Sequence, residues 1–348
     1  MEKKQELGQF YTTKAKYIIG NLFKDLPENI SIVDPFAGNW DLLNLAQKKL
    51  SINNISAYDL DPQNQETIQQ DTLLNPPDYK GLYVITNPPY LAKNKTKDKT
   101  IFDMYKVSDL YKASIETFMG CEGGILVVPL NFLCDDRSTE TRNRFLSKYE
   151  IQSLNIFEEQ VFDDTSYTIC SFSFRKNSNV SQVIRPRFYP CKKDGNNADA
   201  RYSIEQKNGY MIGGRFVNNI RNHQSNVSIG RLTSELKAGY YISNIKLYAI
   251  DSGTRNGMIR LEKEPVPFYG KDTDRAFATI ISDCKLDDDV EDIIIREFNQ
   301  ILSDGREKYH SLFLTNFRNS TKEYARKRVS FDLAFDLISY ILKTKCRM

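Results

Sequence analysis

The chain has 348 residues, 40% of them hydrophobic and 27% charged, enough for two domains or one large one with an appendage. It has two histidines, and its six cysteines form no CxxC pair; this excludes a multi-histidine metal centre, a zinc ribbon and a disulfide framework, and suits a reducing cytosol. The net charge of +3 hides an asymmetry: residues 1–175 carry 19 Lys and Arg against 24 Asp and Glu (net −5), which leaves 29 against 21 (net +8) for residues 176–348.

No apolar run is long enough for a spanning helix, and Met1–Gln5 has no apolar stretch behind it, so neither a membrane anchor nor a secretory signal is expected. Along the chain, Ile30–Val33 reads as a strand ending at Asp34-Pro35, followed by a helix from Asp41 to Leu50. Asn54–Tyr58 reads as a strand ending at Asp59, and Gly81–Thr86 as one ending at Asn87-Pro88-Pro89. Asp109–Met119 has helical spacing, Gly123–Val128 is a buried-type strand after a double glycine, and Thr168–Phe174 alternates like a late strand. Strands alternating with helices predict an α/β fold with a mostly parallel, doubly wound sheet, whose ligands bind beyond the carboxyl ends of the strands. Asp34, Asp59 and Asn87 each directly follow an apolar run, so all three are expected there. After Arg175 the chain becomes rich in Asn, Ser, Arg and Gly, which sets an expected domain boundary near 176–185; apolar stripes at 290–302 and 331–342 predict closing helices.

The sharpest chemical signal is Asn87-Pro88-Pro89-Tyr90. The Asn side chain offers a neutral carbonyl acceptor, and the two prolines present carbonyls without N–H groups on a stiff rim. Tyr90 adds a flat face with a polar tip. Two rigid acceptors beside a stacking surface suit a planar amine, whose hydrogens they draw off so that the nitrogen lone pair turns on an electrophile; this needs no strong base and no histidine. Upstream, Asp34 precedes a loop, Ala37-Gly38-Asn39, in which Gly38 allows close backbone approach to a ligand. Asp59 is placed for ribose hydroxyls, and Asp71-Thr72 for an exocyclic adenine amine. One acid each for an amino-acid end, a ribose and an adenine describes S-adenosyl-L-methionine better than a dinucleotide. There is no GxGxxG and no phosphate-cradling GxxxxGK[ST].

Taken in order, these segments resemble the S-adenosylmethionine-dependent N6-adenine DNA methyltransferases of the gamma motif order, over residues 5–175 or about half the chain. Leu7–Thr12 looks like the segment that caps the cofactor's methionine end, which makes Phe10, Tyr11 and Thr12 candidate cofactor contacts beside Asp34, Ala37, Gly38, Asn39, Asp59, Leu60, Asp71, Thr72 and Asn87. Asn87, Pro88, Pro89 and Tyr90 are the implied catalytic residues. The tetrapeptide alone also occurs in glutamine N5 and ribosomal RNA methyltransferases, and cytosine offers a similar conjugated amine.

The resemblance implies a Rossmann-like methyltransferase sheet over residues 1–178 and a mixed α+β target-recognition domain over 179–348. It further implies site-specific transfer to adenine in double-stranded DNA with base flipping, a cognate restriction endonuclease as companion, a monomer or weak dimer, and a cytoplasmic location, the protein being prokaryotic or phage-encoded. No metal and no membrane enter this picture. Phe162, Tyr167 or an aromatic of the C-terminal domain is expected to complete the base pocket with Tyr90, while Lys93–Lys99 reads as a solvated loop or a phosphate contact. Arg185, Arg187, Arg201, Arg215, Arg221, Arg231, Arg255, Arg260 and Arg275 are together read as DNA-facing. The sequence has Trp40 where family members carry a second glycine. Tryptophan at positive φ is costly, so the loop is shaped differently, or Trp40 packs against the cofactor, or it simply packs at the start of the helix.

Overall fold

The computed structural model describes residues 12–162, 165, 167–177, 180–190, 200–252, 257–318, 326–346 and 348. They fall into two compact units, residues 1–211 and 212–348.

In the first unit, α1 (Ala15–Ile19) precedes β1 (Ile30–Asp34), a β-branched run buried along nearly its whole length. Next comes α2 (Asp41–Lys49), which turns Leu42, Leu43 and Ala46 inward and ends on Lys48 and Lys49, whose charges suit the negative end of the helix. β2 (Ile52–Asp59), the short β3 (Ile68–Gln69) and β4 (Tyr83–Thr86) follow. The chain then runs through α3 (Thr100–Tyr105), α4 (Leu110–Thr117), β5 (Gly123–Pro129), α5 (Asn131–Cys134), α6 (Thr139–Leu146), β6 (Tyr149–Phe157) and β7 (Ile169–Lys176). β8 (Ser181–Ile184), β9 (Pro186–Tyr189) and β10 (Tyr202–Glu205) complete it.

Eight of these strands form one sheet in the order β3-β2-β1-β4-β5-β7-β6-β9. β3 to β5 are mutually parallel, β7 runs antiparallel between β5 and β6, and β9 adds parallel to β6. This is the expected doubly wound α/β architecture. Its strand order reverses between β1 and β4, the point at which such sheets open a crevice beyond their carboxyl ends. Gly124 explains how β4 and β5 approach so closely: at φ 152°, a Cβ there would lie 1.8 Å from the Val84 carbonyl oxygen. The change in composition at 176–185 lies inside this unit, where β9 still pairs with the large sheet and β8 pairs with β10.

Arg142 of α6 is fully buried and donates to the carbonyls of Phe132 (2.8 Å), Asp135 (3.0 Å) and Gly209 (2.6 Å), which ties the end of the unit to its helical layer.

The second unit contains α7 (Gly214–Arg221) and the strands β11 (Ile229–Arg231), β12 (Tyr241–Tyr248), β13 (Arg260–Lys263) and β14 (Phe277–Ser282), an antiparallel sheet in the order β11-β14-β12-β13. It also contains α8 (Asp288–Tyr309), the β15 (Thr315–Arg318) and β16 (Arg326–Arg328) pair, and α9 (Phe331–Ile341). The stripes expected from sequence are the inward faces of its long helices: Ile294, Phe298 and Leu302 on α8, and Leu333, Ala334, Leu337, Ile338 and Ile341 on α9. A buried Asp251 takes a two-pronged ion pair from Arg306 (3.1 and 2.9 Å). Among the described residues no helix is long and apolar enough to cross a membrane.

Candidate functional site at the strand tips

Asp34 closes β1 with its carboxyl buried; Oδ1 accepts from Thr86 Oγ1 (2.6 Å) and from the Phe36 N–H (3.0 Å). Burial pushes its pKa up to about 7, against the pull of those two hydrogen bonds, and the nearby Asp59 charge adds to the rise. The loop that follows is pinned over the tip of β2: the Ala37 N–H donates to the Tyr58 carbonyl (2.8 Å) and the Gly38 N–H to Asp59 Oδ2 (2.9 Å). Asp59 Oδ1 accepts from the Asp61 N–H (2.9 Å); burial raises this carboxyl's pKa while the backbone bonds restrain it.

Two residues of the loop are left-handed, Gly38 (φ 50°) and Trp40 (φ 66°). Of the three alternatives, packing at the start of the helix is the one seen. Trp40 takes the glycine-like conformation, is 4% exposed, and donates from Nε1 to Thr67 Oγ1 (2.6 Å). Burial and that bond oppose a left-handed penalty of about 1–2 kcal/mol.

Beyond β3, Asp71 Oδ1 accepts from the N–H groups of Leu73 (3.0 Å) and Leu74 (3.2 Å), and Thr72 Oγ1 donates to the Pro35 carbonyl (2.9 Å), fastening this turn to the first loop. These tips surround a hollow of about 290 Å³. Gly38, Asp59, Leu60, Asp71, Thr72, Asn87 and Pro89 lie in its wall, with Phe36, Leu73, Leu91, Ile101, Phe102 and Leu110 supplying apolar surface. A smaller hollow of about 30 Å³ shares Phe36, Gly38 and Asn87, and adds Thr12, Asp34, Ala37, Asn39 and Asp41.

The donor set suits an adenosylmethionine: apolar walls for a flat ring, Asp59 for vicinal hydroxyls, and Asp34 with Asp41 for an ammonium. Asp41's own pKa is raised by burial. Phe10 and Tyr11 lie outside the described residues. Among the described residues no group of three or more His, Cys, Asp or Glu could hold a metal ion.

Asn87 leaves β4 half-buried and stands in the wall of both hollows. Its Nδ2 donates to Thr12 Oγ1 (3.1 Å), and Tyr90 donates its hydroxyl to Asn87 Oδ1. Pro88 is buried. Both aromatics named as partners of Tyr90 stand against it, Tyr167 with ring centroids 6.0 Å apart and Phe162 with 6.4 Å.

The lysine-rich loop after the tetrapeptide is more folded than its composition suggests. Lys99 turns inward and donates to the carbonyls of Lys93 and Thr96, Lys93 pairs with Asp103 (2.5 Å), and Lys95 sits over the Tyr167 ring at 5.8 Å. Thr96 and Asp98 join the wall of the larger hollow. Sequence reasoning missed this apolar and loop-borne wall, although Ile101, Phe102 and Leu110 just beyond the tetrapeptide were its visible signal.

The arginines read as a group divide. Arg221 pairs with Asp336, Arg231 donates to the carbonyls of Asp272 and Asp274, and Arg260 pairs with Glu262, so these three are committed inside the second unit. Arg185, Arg187, Arg201, Arg215 and Arg275 are exposed, and Arg255 lies outside the described residues.

No protein-family model matches the sequence, and no curated protein does. Among solved structures, a protein of Vibrio vulnificus YJ016 assigned as a type I restriction-enzyme modification subunit superposes at TM-score 0.42 and 14% identity, over 51% of this chain and 47% of its own. The methyltransferase subunit of a type I restriction-modification system from Streptococcus thermophilus does so at 0.39 and 15%, over 52% and 47%. A DrdV–DNA complex gives 0.40 and 14%, over 54% and 28%. The chain spans about half the length of the first two. What it does is therefore read from its own residues.

Proposed function

We propose that the chain is an S-adenosylmethionine-dependent DNA methyltransferase that acts on the N6 amine of adenine flipped out of duplex DNA. The observation that carries this is the position of Asn87, one side chain in the wall of both the adenosine-sized hollow and the smaller acid-lined hollow beside it.

The cofactor, when bound, supplies an electrophilic methyl group on a sulfonium. Asp59 would hold the ribose hydroxyls, Asp71 would accept from the adenine amine of the cofactor, and Asp34 with Asp41 would face its ammonium. Asn87 Oδ1 and the Pro88 carbonyl draw on the two hydrogens of the target amine, which frees the nitrogen lone pair without removing a proton beforehand. The exposed arginines and the Lys95–Lys97 segment meet phosphates.

The test is transfer of labelled methyl to duplex DNA, with RNA and protein supplied in parallel. Activity is expected on DNA, reduced roughly 10²–10³-fold by Asn87→Ala. Undiminished transfer by that variant would refute the mechanism, and transfer only to RNA or protein would refute the substrate. Single-molecule sequencing of DNA from an expressing host then gives both the base and its context.

A further inference from the structure

The larger hollow at the strand tips has two walls of different kinds. One is built by the ends of β1 to β3 and their loops, fastened to each other by the Gly38–Asp59 and Thr72–Pro35 hydrogen bonds. The other is a single stretch of chain that supplies Leu91, Thr96, Asp98, Ile101 and Phe102. The ends of that stretch are fixed. The Leu110 N–H donates to the Leu91 carbonyl (2.9 Å), the Lys93 N–H donates to the Ser108 carbonyl (2.8 Å), and Ile101 and Phe102 belong to α3. Between them the chain makes one short 3-10 turn, Lys93–Lys95, and runs extended at Thr96.

Three lysines hold this excursion, and they are unequal. Lys93 pairs with Asp103, but the two side chains are 41% and 63% exposed, and such surface pairs contribute little. Lys95 is exposed and lies 5.8 Å from the centre of the Tyr167 ring, also a weak tie. Lys99 is half-buried, and its ammonium donates to two carbonyls of the excursion itself, those of Lys93 and Thr96. Bonds from a charged donor are stronger than neutral ones, so this is the tie that decides the shape of the excursion. One of the two carbonyls belongs to Thr96, which stands in the wall, and Asp98, also in the wall, directly precedes Lys99. Asp98 Oδ1 accepts from the Thr100 N–H at 2.9 Å, a bond that holds this carboxyl below the usual carboxylate range.

Building on the methyltransferase reading, we propose that Lys99 is a positioning residue for the cofactor, its ammonium drawing residues 93–98 into the shape that brings Thr96 and Asp98 against the adenosine part of S-adenosylmethionine. Lys99 itself lines neither hollow, so it acts through residues that do. Without the ammonium, only molecules whose loop happens to be closed can bind, and the apparent dissociation constant rises as that fraction falls.

The test variant is Lys99→Met, which keeps an unbranched side chain and removes the charge. Binding of S-adenosylhomocysteine to the full chain, measured by calorimetry, is expected to weaken roughly tenfold, the effect of a closed fraction cut to about a tenth. The melting temperature and the kcat on duplex DNA at saturating cofactor should stay at wild-type values, because the ligand-bound state has the loop closed. Backbone amides of residues 93–98 should exchange with deuterium faster in the free variant than in free wild type, and the difference should vanish when ligand is bound.

Equal affinities in wild type and Lys99→Met overturn the proposal, as does a loss of affinity that comes with lost kcat or a lowered melting temperature. Should Lys99→Met fail to fold, Lys99→Ala decides by the same criteria. A wild-type chain that binds no S-adenosylhomocysteine overturns the methyltransferase reading and this proposal with it. A wild-type chain that binds it without methylating DNA removes only the proposed substrate, and the comparison of affinities still decides the role of Lys99.

Discussion

Replacing Trp40 by glycine sets two effects of known sign against each other. At φ 66°, glycine relieves a left-handed cost of about 1–2 kcal/mol. The same change deletes a side chain that is only 4% exposed, which costs about 3–5 kcal/mol on the scale of large-to-small core substitutions. It also deletes the 2.6 Å bond from Nε1 to Thr67, worth about 1 kcal/mol net. Packing wins, and the variant should be less stable by about 3 kcal/mol. For a unit of residues 1–211 this is a fall in Tm of roughly 6–12 °C. Trp40→Phe keeps most of the apolar bulk and the conformational strain while losing the N–H, and should fall between the two. Trp40 is the only tryptophan, so melting must be followed by far-ultraviolet circular dichroism rather than by fluorescence. A Trp40→Gly protein that melts at or above the wild-type temperature would show that strain, not packing, dominates this turn.

Other outcomes follow from the same geometry. Asp34, with its pKa pushed up to about 7 by burial, holds a proton in the folded chain between roughly pH 4 and 7 that the unfolded chain has lost, so its contribution to stability declines as pH rises through that window and is flat above it. An ammonium prefers the carboxylate, so cofactor affinity read from Trp40 fluorescence should rise with pH up to about 7 and then level off; Asp34→Asn should abolish the dependence, and a flat wild-type profile would contradict the assignment. Gly124→Ala should cost about 3 kcal/mol or more, because its Cβ would meet the Val84 carbonyl at 1.8 Å; a chemical denaturation midpoint equal to wild type would show that β4 and β5 can separate.

Apolar strands with a clear punctuation mark were legible from sequence: β1 and β4, closed by Asp and Asn-Pro, and β5, opened by a double glycine, lie where their composition puts them. β6 was passed over for a physical reason. It carries Gln152, Ser153 and Asn155, which break the apolar pattern, yet Asn155 is fully buried because its Nδ2 donates to the Ile18 carbonyl (3.1 Å) and to Ser171 Oγ (3.1 Å). A polar residue whose partners are distant in sequence looks like a surface residue until the fold supplies them. Trp40 is the same lesson for the backbone, since a local preference against positive φ gave way to burial that no local window reveals. Lys93–Lys99 shows it for charge: a run that reads as solvated contains one lysine folded back onto the loop's own carbonyls.

The acids of the cofactor side and the amide of the transfer side are coupled by the sheet itself. β1 and β4 are neighbours at the point where the strand order reverses, so their carboxyl ends lie side by side although Asp34 and Thr86 are distant in sequence. The Thr86 hydroxyl donates to Asp34 Oδ1 at 2.6 Å, and the next residue is Asn87, whose amide reaches Thr12 in the wall of the same small hollow as Asp34. A change in the charge of Asp34 is therefore felt one residue from the amide, through a hydroxyl buried at 0% exposure, where water screens little. On this geometry, protonation of Asp34 should weaken cofactor binding and also disturb the register of Asn87, so kcat should fall with acid even at saturating cofactor. In Thr86→Val, which cuts the link, the acid-side fall in kcat should disappear while the pH dependence of cofactor affinity remains.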